Sequence, residues 1–323
     1  MRAILLAPTE NIERVYGKER QERLGYPRVV APAQLDTLLP ELAETEAIFS
    51  TWGMPCLTEA QLDALPKLRA VFYAAGSVQG FARPLLERGI TVVSAWLANG
   101  VPVAEFTLAQ ILLSAKGYFR NVAEYHTTHH FREAARGPGC YGETVALLGA
   151  GAVGREVIQL LKPFSLHLLV FDPFLSETAA RELGVEKVGL DEAFSRGIVV
   201  SNHLANNPQT VGMLNAAHFA QLRPGATFIN TGRGLTVVES DLTDVLRVRP
   251  DLTALLDVTW PEPAPPNSPL WELPNVRIST HLAGSTGNEV RRMADWCLDE
   301  FERWTQDKPL RSAVTLEMLE TMA

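Results

Sequence analysis

The glycine-spaced segment Gly149-Ala150-Gly151-Ala152-Val153-Gly154 lies between an apolar run, Thr144-Val145-Ala146-Leu147-Leu148, and the amphipathic stretch Arg155-Glu156-Val157-Ile158-Gln159-Leu160-Leu161. Strand, glycine turn and helix in that order are what a dinucleotide-binding βα unit requires. Gly149 permits the turn, Gly151 lets the backbone approach a pyrophosphate, and Gly154 lets the helix pack on its strand. The phosphate charge then faces unpaired amides at the helix N-terminus and the positive end of the helix dipole, with Ala152 and Val153 of the turn also expected at the cofactor. The next apolar run, His167-Leu168-Leu169-Val170-Phe171, ends at Asp172, 18 residues beyond Gly154. The fingerprint expects an acidic residue roughly 20 residues on, where a carboxylate accepts hydrogen bonds from the ribose hydroxyls. The same carboxylate repels a 2′-phosphate, so NAD is favoured over NADP.

This unit recurs in kind along the chain. Short apolar runs, each followed by an amphipathic stretch, occur at Ala3–Ala7, Ala47–Ser50, Ala70–Ala74 and Thr91–Ser94. A second series comprises Val145–Leu148, Leu166–Phe171, Ile198–Ser201, Thr227–Ile229, Ala254–Asp257 and Val276–Ser279. Runs separated by helices need crossovers, hence largely parallel sheets of the doubly wound α/β kind. Thr58 is a candidate N-cap for the helical Glu59–Leu65, and Pro102–Lys116 has an apolar stripe with Pro in its first turn and Gly117 beyond its end. Asn121–Tyr141 is polar and reads as an irregular arm, and Glu289–Trp304 as a long closing helix. At roughly 150 residues per domain, 323 residues make two domains.

Composition removes several classes. Hydrophobic residues at 46% and charged residues at 20% exclude a disordered chain, and a net charge of −8 argues against a nucleic-acid surface. No uninterrupted apolar stretch approaches the roughly 20 residues of a membrane span, so no membrane partner is expected. The apolar run at the N-terminus is too short for a secretory signal. Cys56, Cys140 and Cys297 form no CxxC pair and read as reduced thiols of a cytoplasmic protein. His126, His129 and His130 have no regularly spaced acidic or Cys partner, so no metal site is expected.

Three ionisable residues each follow a strand of the second series: Arg233 in Asn230-Thr231-Gly232-Arg233-Gly234, Glu262 after Asp257-Val258-Thr259-Trp260-Pro261, and His281 after Val276–Thr280. Ligands of open α/β sheets bind beyond the carboxyl ends of strands, so the three should converge. An arginine can hold a carboxylate through its planar fork. A histidine can exchange a proton with a carbonyl or alcohol oxygen, and a carboxylate can orient it and raise its pKa.

With these motifs the chain resembles the D-isomer-specific 2-hydroxyacid dehydrogenases, a family that includes D-lactate, glyoxylate/hydroxypyruvate and phosphoglycerate dehydrogenases. The likeness also takes in Val103-Ala104-Glu105-Phe106-Thr107, similar to the family's first interdomain helix, and Ser268-Pro269-Leu270-Trp271. The resemblance implies a Rossmann NAD-binding domain over residues 99–294 and a flavodoxin-like substrate domain over residues 1–98 and 295–323. It implies hydride transfer between NAD(H) and C2 of a small (R)-2-hydroxy acid or 2-oxo acid, and a homodimer. Arg233 would bind and polarise the substrate, His281 would be proton donor and acceptor, and Glu262 its partner. Asp257 would hold the nicotinamide carboxamide, with Thr231, Gly232 and Gly284 also at the cofactor, and the amides of Gly76, Ser77 and Val78 would grip the substrate carboxylate. Departures are His203-Leu204-Ala205-Asn206-Asn207 where the family often has His-x-Pro-x-Thr, Gly232 where Ala is usual, and Thr280 where Pro is usual. Two other readings use the same residues: a formate-dehydrogenase-like enzyme, which expects Gln where Glu262 stands, and an NAD(H)-sensing regulator of corepressor type. Trp52, in an uncharged loop after a first-domain strand, could wall the substrate pocket, and the absence of Lys or Arg there disfavours a phosphorylated substrate.

Overall fold

The computed structural model describes residues 2–320. Residues 1 and 321–323, which the expected first-domain boundaries take in, lie outside the described residues. The chain divides into two compact units: one runs up to Asn99 and resumes at Ser285, and the other is Gly100–Gly284.

In the first unit β1 (Ala3–Leu6), β2 (Arg28–Val30), β3 (Ala47–Ser50), β4 (Ala70–Tyr73) and β5 (Thr91–Ser94) form a parallel sheet in the order β5-β4-β3-β1-β2. This is the flavodoxin-like order. A last short strand, Ala313–Val314, pairs antiparallel with β5. The strand alternation splits the core between the two faces of the sheet. Ile4, Leu6, Ile48 and Val71 serve one cluster, and Leu5, Phe49, Phe72 and Val93 the other. The helix Val290–Thr305 covers the second face through Val290, Met293, Ala294, Cys297 and Leu298, the spacing of a single helical stripe. Burial of Val290 and Met293 in this core explains why the chain rejoins the first unit at Ser285 rather than at residue 295 as expected from sequence. Asn99 accepts a hydrogen bond from the Ser285 amide at 3.0 Å, tying the outgoing and returning chain together.

The second unit holds seven parallel strands: β6 (Thr144–Leu148), β7 (His167–Phe171), β8 (Glu186–Lys187), β9 (Val199–Asn202), β10 (Thr227–Asn230), β11 (Thr253–Leu256) and β12 (Val276–Ile278). Their order is β12-β11-β10-β9-β6-β7-β8. Counted from β6 this is the Rossmann arrangement with one added strand, and the order reverses between β6 and β9. Strands buried on both faces explain the near-continuous apolar runs. β2 and β8 leave no clear run in the sequence because they are edge strands of three and two residues, and β8, Glu186-Lys187, is polar throughout.

Two helical expectations need correction. The helix predicted from Pro102 begins at Trp96 and runs to Ala115, with Pro102 inside it. Ala98 is buried in the first unit's core while Ala104 and Ile111 are buried in the second's, so packing extends the helix upstream of the proline. This 20-residue helix is long and apolar enough to cross a membrane by length and composition alone. The segment read as an irregular arm contains the helices Tyr118–Thr128 and Phe131–Ala134. Its few apolar residues, Tyr118, Val122 and Tyr125, follow helical spacing but are exposed, which hid the helix in a polar stretch.

Candidate active site

The glycine turn forms as its spacing requires. Gly149 has φ +100°, and a Cβ there would come within 2.9 Å of the His203 carbonyl oxygen. A Cβ on Gly154 would stand 2.1 Å from the Gly149 carbonyl oxygen, so helix Ala152–Leu161 can seat on β6 only with glycine at this position. Around Gly151, by contrast, a Cβ would meet nothing within 4 Å. That open ground before a helix N-terminus fits the pyrophosphate of a dinucleotide. Asp172, at the end of β7, accepts from the Ala150 amide at 2.7 Å through one carboxylate oxygen and from the Phe174 and Leu175 amides through the other. The acidic residue therefore stands directly beside the turn, on the ribose side of the fingerprint.

Arg233, Glu262 and His281 come from three adjacent strands, β10, β11 and β12, and the structure brings them together at the carboxyl edge. His281 Nδ1 lies 2.6 Å from Glu262 Oε1. A ring nitrogen against a carboxylate carries the hydrogen, so Nε2 is left for exchange with a substrate oxygen. His281 has φ +55°, an uncommon conformation for a residue with a side chain, of the sort found where function fixes the backbone. Burial pushes the Arg233 guanidinium down from its usual pKa, opposed by the nearby charge of Glu262. It donates to the Gly232 carbonyl at 2.8 Å and, among the described residues, pairs with no carboxylate within salt-bridge distance. A desolvated guanidinium that donates to one backbone carbonyl and to no carboxylate is suited to an incoming carboxylate.

Sequence reasoning missed what holds these groups. The carboxylate of Asp257, buried at 2% exposure, accepts from Ser279 Oγ at 2.6 Å and the Leu282 amide at 2.9 Å on Oδ1, and from the Ala283 amide at 2.9 Å on Oδ2. Its backbone carbonyl accepts from the His281 amide at 3.1 Å. Asp257 is thus the tether of the His281 segment. A carboxylate has about four acceptor sites, so the second one on Oδ2 remains for the carboxamide role expected from sequence. Beneath Arg233, Asn202 donates to Asn230 Oδ1 at 3.0 Å and to Thr236 Oγ1 at 2.8 Å, while Asn230 and Thr236 donate to the Arg233 carbonyl. A Cβ on Gly234 would sit 2.0 Å from the Thr259 carbonyl oxygen, so the arginine loop rests directly on the chain leading to Glu262. Asn230 stood inside a quoted motif, yet its partners are remote in sequence and gave no local signal.

The other expected residues are placed as follows. Thr231 is buried, its hydroxyl 3.2 Å from that of Thr107 and 3.4 Å from His203 Nδ1. His203 Nε2 is 3.0 Å from Ser201 Oγ, and burial pushes this imidazole down to about 4. Gly232 passes close to the chain below, its ideal Cβ 3.1 Å from the Asn202 carbonyl oxygen. Gly284 ends the second unit. Gly76, Ser77 and Val78 lie after β4 in the first unit. His130 pairs with Glu133 at 2.9 Å, and no group of three or more His, Cys, Asp or Glu able to hold a metal occurs among the described residues.

Comparison with known proteins identifies the family and the fold. Residues 108–283 match the NAD binding domain of the D-isomer specific 2-hydroxyacid dehydrogenases. D-3-phosphoglycerate dehydrogenase of Mycobacterium tuberculosis is 31% identical over 258 residues, 80% of this chain and 48% of that protein. The chain therefore spans about half the length of such relatives. Among solved structures, a phosphoglycerate oxidoreductase from Rhizobium etli superposes with TM-score 0.80 at 22% identity, covering 97% of each chain. The NAD-complexed D-isomer specific 2-hydroxyacid dehydrogenase from Lactobacillus delbrueckii ssp. bulgaricus gives TM-score 0.80 at 18% identity, covering 97% of this chain and 100% of that one. By the match over more than half its length, this chain belongs to the D-isomer specific 2-hydroxyacid dehydrogenase family, and it carries that family's NAD binding domain.

Proposed function

We propose that the protein is an NAD-dependent D-2-hydroxyacid dehydrogenase, interconverting a small 2-oxo acid and its (R)-2-hydroxy acid. The observation that carries this reading is the 2.6 Å Glu262–His281 pair beside the half-buried Arg233, on the carboxyl edge of an NAD-binding sheet. Hydride exchange at C2 is the chemistry that bound NAD(H) supplies. Gly151 and the first amides of helix Ala152–Leu161 would hold the pyrophosphate, Asp172 the ribose, and Asp257 the carboxamide. Arg233 binds the oxo acid and stabilises charge growing on the carbonyl oxygen. His281 gives that oxygen a proton from Nε2 as the alcohol forms, and takes it back in the reverse direction. Glu262 fixes the ring orientation and stabilises the imidazolium. Gly76, Ser77 and Val78 hold the substrate carboxylate by their backbone amides.

The decisive assay is NADH oxidation with a panel of 2-oxo acids. Arg233→Ala should lose most turnover while NADH binding survives, and His281→Asn should remove the protonation limb from the pH–rate profile. Tight NADH binding with negligible turnover on every acid would instead mark a sensor. We further propose a cytoplasmic homodimer. The exposed stripe Tyr118, Val122 and Tyr125, with Phe131 exposed at 73%, supports self-association. Solution scattering that returns a monomer would refute this.

A further inference from the structure

Glu262 stands in a segment that is hard to hold by its own backbone. Within Trp260-Pro261-Glu262-Pro263-Ala264-Pro265-Pro266-Asn267-Ser268 four residues are prolines, which carry no N–H, so few main-chain donors can fix it. Side chains supply most of the anchors. Thr259 Oγ1 donates to the Pro261 carbonyl at 2.9 Å. The Trp271 indole N–H donates to the Pro265 carbonyl at 2.9 Å, joined there by the Ser268 amide. The Trp260 amide, the last main-chain donor before Glu262, donates to Glu239 Oε2 at 3.2 Å.

Glu239 opens the helix Glu239–Val248, six residues beyond Arg233. An acid in a first helical turn ordinarily serves its own helix, through the dipole and the free amides there. This one reaches outward instead. It is half-buried, and burial pushes its pKa up, opposed by the Trp260 amide and the Ser268 hydroxyl, which both donate to it. Ser268 is itself buried, and its hydroxyl also accepts from the Leu270 amide at 3.3 Å. A carboxylate taken partly out of water without a cation beside it is costly. What it achieves here is a grip on both ends of the segment that carries Glu262, with Trp260 on one side and Ser268 on the other.

Resting on the proposed dehydrogenase activity, we infer that Glu239 is a positioning residue: by clasping the Trp260 amide and the Ser268 hydroxyl it sets where Glu262 meets His281, and so the direction in which Nε2 presents its proton. Trp271 supports the same segment through Pro265.

The test is kcat of the full chain on its best 2-oxo acid, in a double-mutant cycle of Glu239→Ala with Glu262→Gln, with melting temperature followed throughout. Glu239→Ala alone should lower kcat by about tenfold, the effect of one charge-assisted hydrogen bond, and leave NADH affinity within about twofold. Glu239→Gln keeps an acceptor for the Trp260 amide and should stay within about threefold of the unmodified protein. In the Glu262→Gln background the same alanine change should cost less than about twofold, because no carboxylate is left to position. Trp271→Phe keeps the ring and removes the indole N–H; it should lower kcat by about threefold and lose that effect in the same background. That second cycle decides the matter if Glu239→Ala does not fold. Unchanged kcat in the folded single variants, or an equal loss in both backgrounds, overturns the inference and leaves the dehydrogenase standing. Failure of the unmodified protein on every 2-oxo acid removes the proposed activity and this inference with it.

Discussion

Asp257→Asn changes the site by one atom, and its effect can be worked from the contacts. One orientation of the new amide keeps its oxygen in the place of Oδ1, still accepting from Ser279 Oγ and the Leu282 amide. Its nitrogen then replaces Oδ2 and confronts the Ala283 amide, which now donates to Oδ2 at 2.9 Å and is buried. One hydrogen bond to a charged acceptor is lost, worth about 1.5–3 kcal/mol, and a buried donor is stranded at about 1–3 kcal/mol. The flipped orientation is comparable: the Ser279 hydroxyl turns to accept from the new nitrogen, and the Leu282 amide becomes the stranded donor instead. A net cost of about 3 kcal/mol falls on the segment that holds His281 in its left-handed conformation. At 1.4 kcal/mol per decade that corresponds to roughly a hundredfold in the population of the ordered segment. The measurement is kcat on the best 2-oxo acid, with NADH affinity followed by fluorescence quenching and the fold by its melting temperature. Loss of kcat by roughly that factor, with the protein still folded, is the expected result. If kcat stays within threefold and only NADH affinity falls, Asp257 serves the carboxamide alone and the tether is unimportant.

Other substitutions probe the remaining parts. Gly234→Ala places a Cβ where the Thr259 carbonyl oxygen leaves 2.0 Å, so the arginine loop must lift and kcat/KM should fall by about a hundredfold; a near-normal value would show that the two loops can separate freely. Gly151→Ala meets nothing within 4 Å, so its melting temperature should match the unmodified protein while NADH binds about tenfold or more weakly; equal affinity would place the pyrophosphate elsewhere. His203 titrates near 4 when folded against 6.5 when unfolded. The unfolded chain alone takes up its proton between those values, so stability is full above pH 6.5 and falls by roughly 3 kcal/mol on acidification to pH 4. Denaturant unfolding of His203→Gln should lack that part of the slope, and an identical pH dependence in both proteins would refute the assignment.

The residues legible from sequence are those whose signal is local. Gly149, Gly151 and Gly154 announce themselves by spacing between a strand and a helix, and Asp172 by its distance along the chain. Arg233, Glu262 and His281 could be placed on one edge because each follows an apolar run, and parallel topology puts the ends of such runs side by side. What stayed hidden depends on contacts between remote positions. Ser279 and Asp257 are 22 residues apart and Asn202 and Asn230 are 28 apart, and no periodicity links either pair. The start of helix Trp96–Ala115 was missed for a related reason. Proline marks a first turn as a statistical habit, and burial of Ala98 in another core overrode it. The return of the chain at Ser285 likewise follows from which core takes Val290, a tertiary choice that leaves no mark in the helix's own pattern.

The distance between the guanidinium and the imidazole is set less by either side chain than by the sheet beneath them. The Asp257 amide donates to the Asn230 carbonyl at 3.0 Å, continuing the β10–β11 ladder past its last strand residues. The Asp257 carbonyl then accepts from the His281 amide, carrying the connection across to the end of β12. Arg233 lies three residues beyond Asn230, with its own carbonyl fixed by Asn230 and Thr236. A short run of main-chain hydrogen bonds therefore joins the segments carrying the two functional groups, and the Gly234–Thr259 contact leaves no slack beside it. Positioning inherited from a buried parallel sheet resists displacement, because moving one loop would break ladder bonds in a packed interior. Glu262 is the exception. It sits on an exposed, proline-rich loop, and among the described residues its side chain is tied to the arrangement by its hydrogen bond to His281 and the nearby charge of Arg233. Within this site, the orientation of the imidazole is therefore set by one exposed carboxylate, while its backbone is set by the packed sheet.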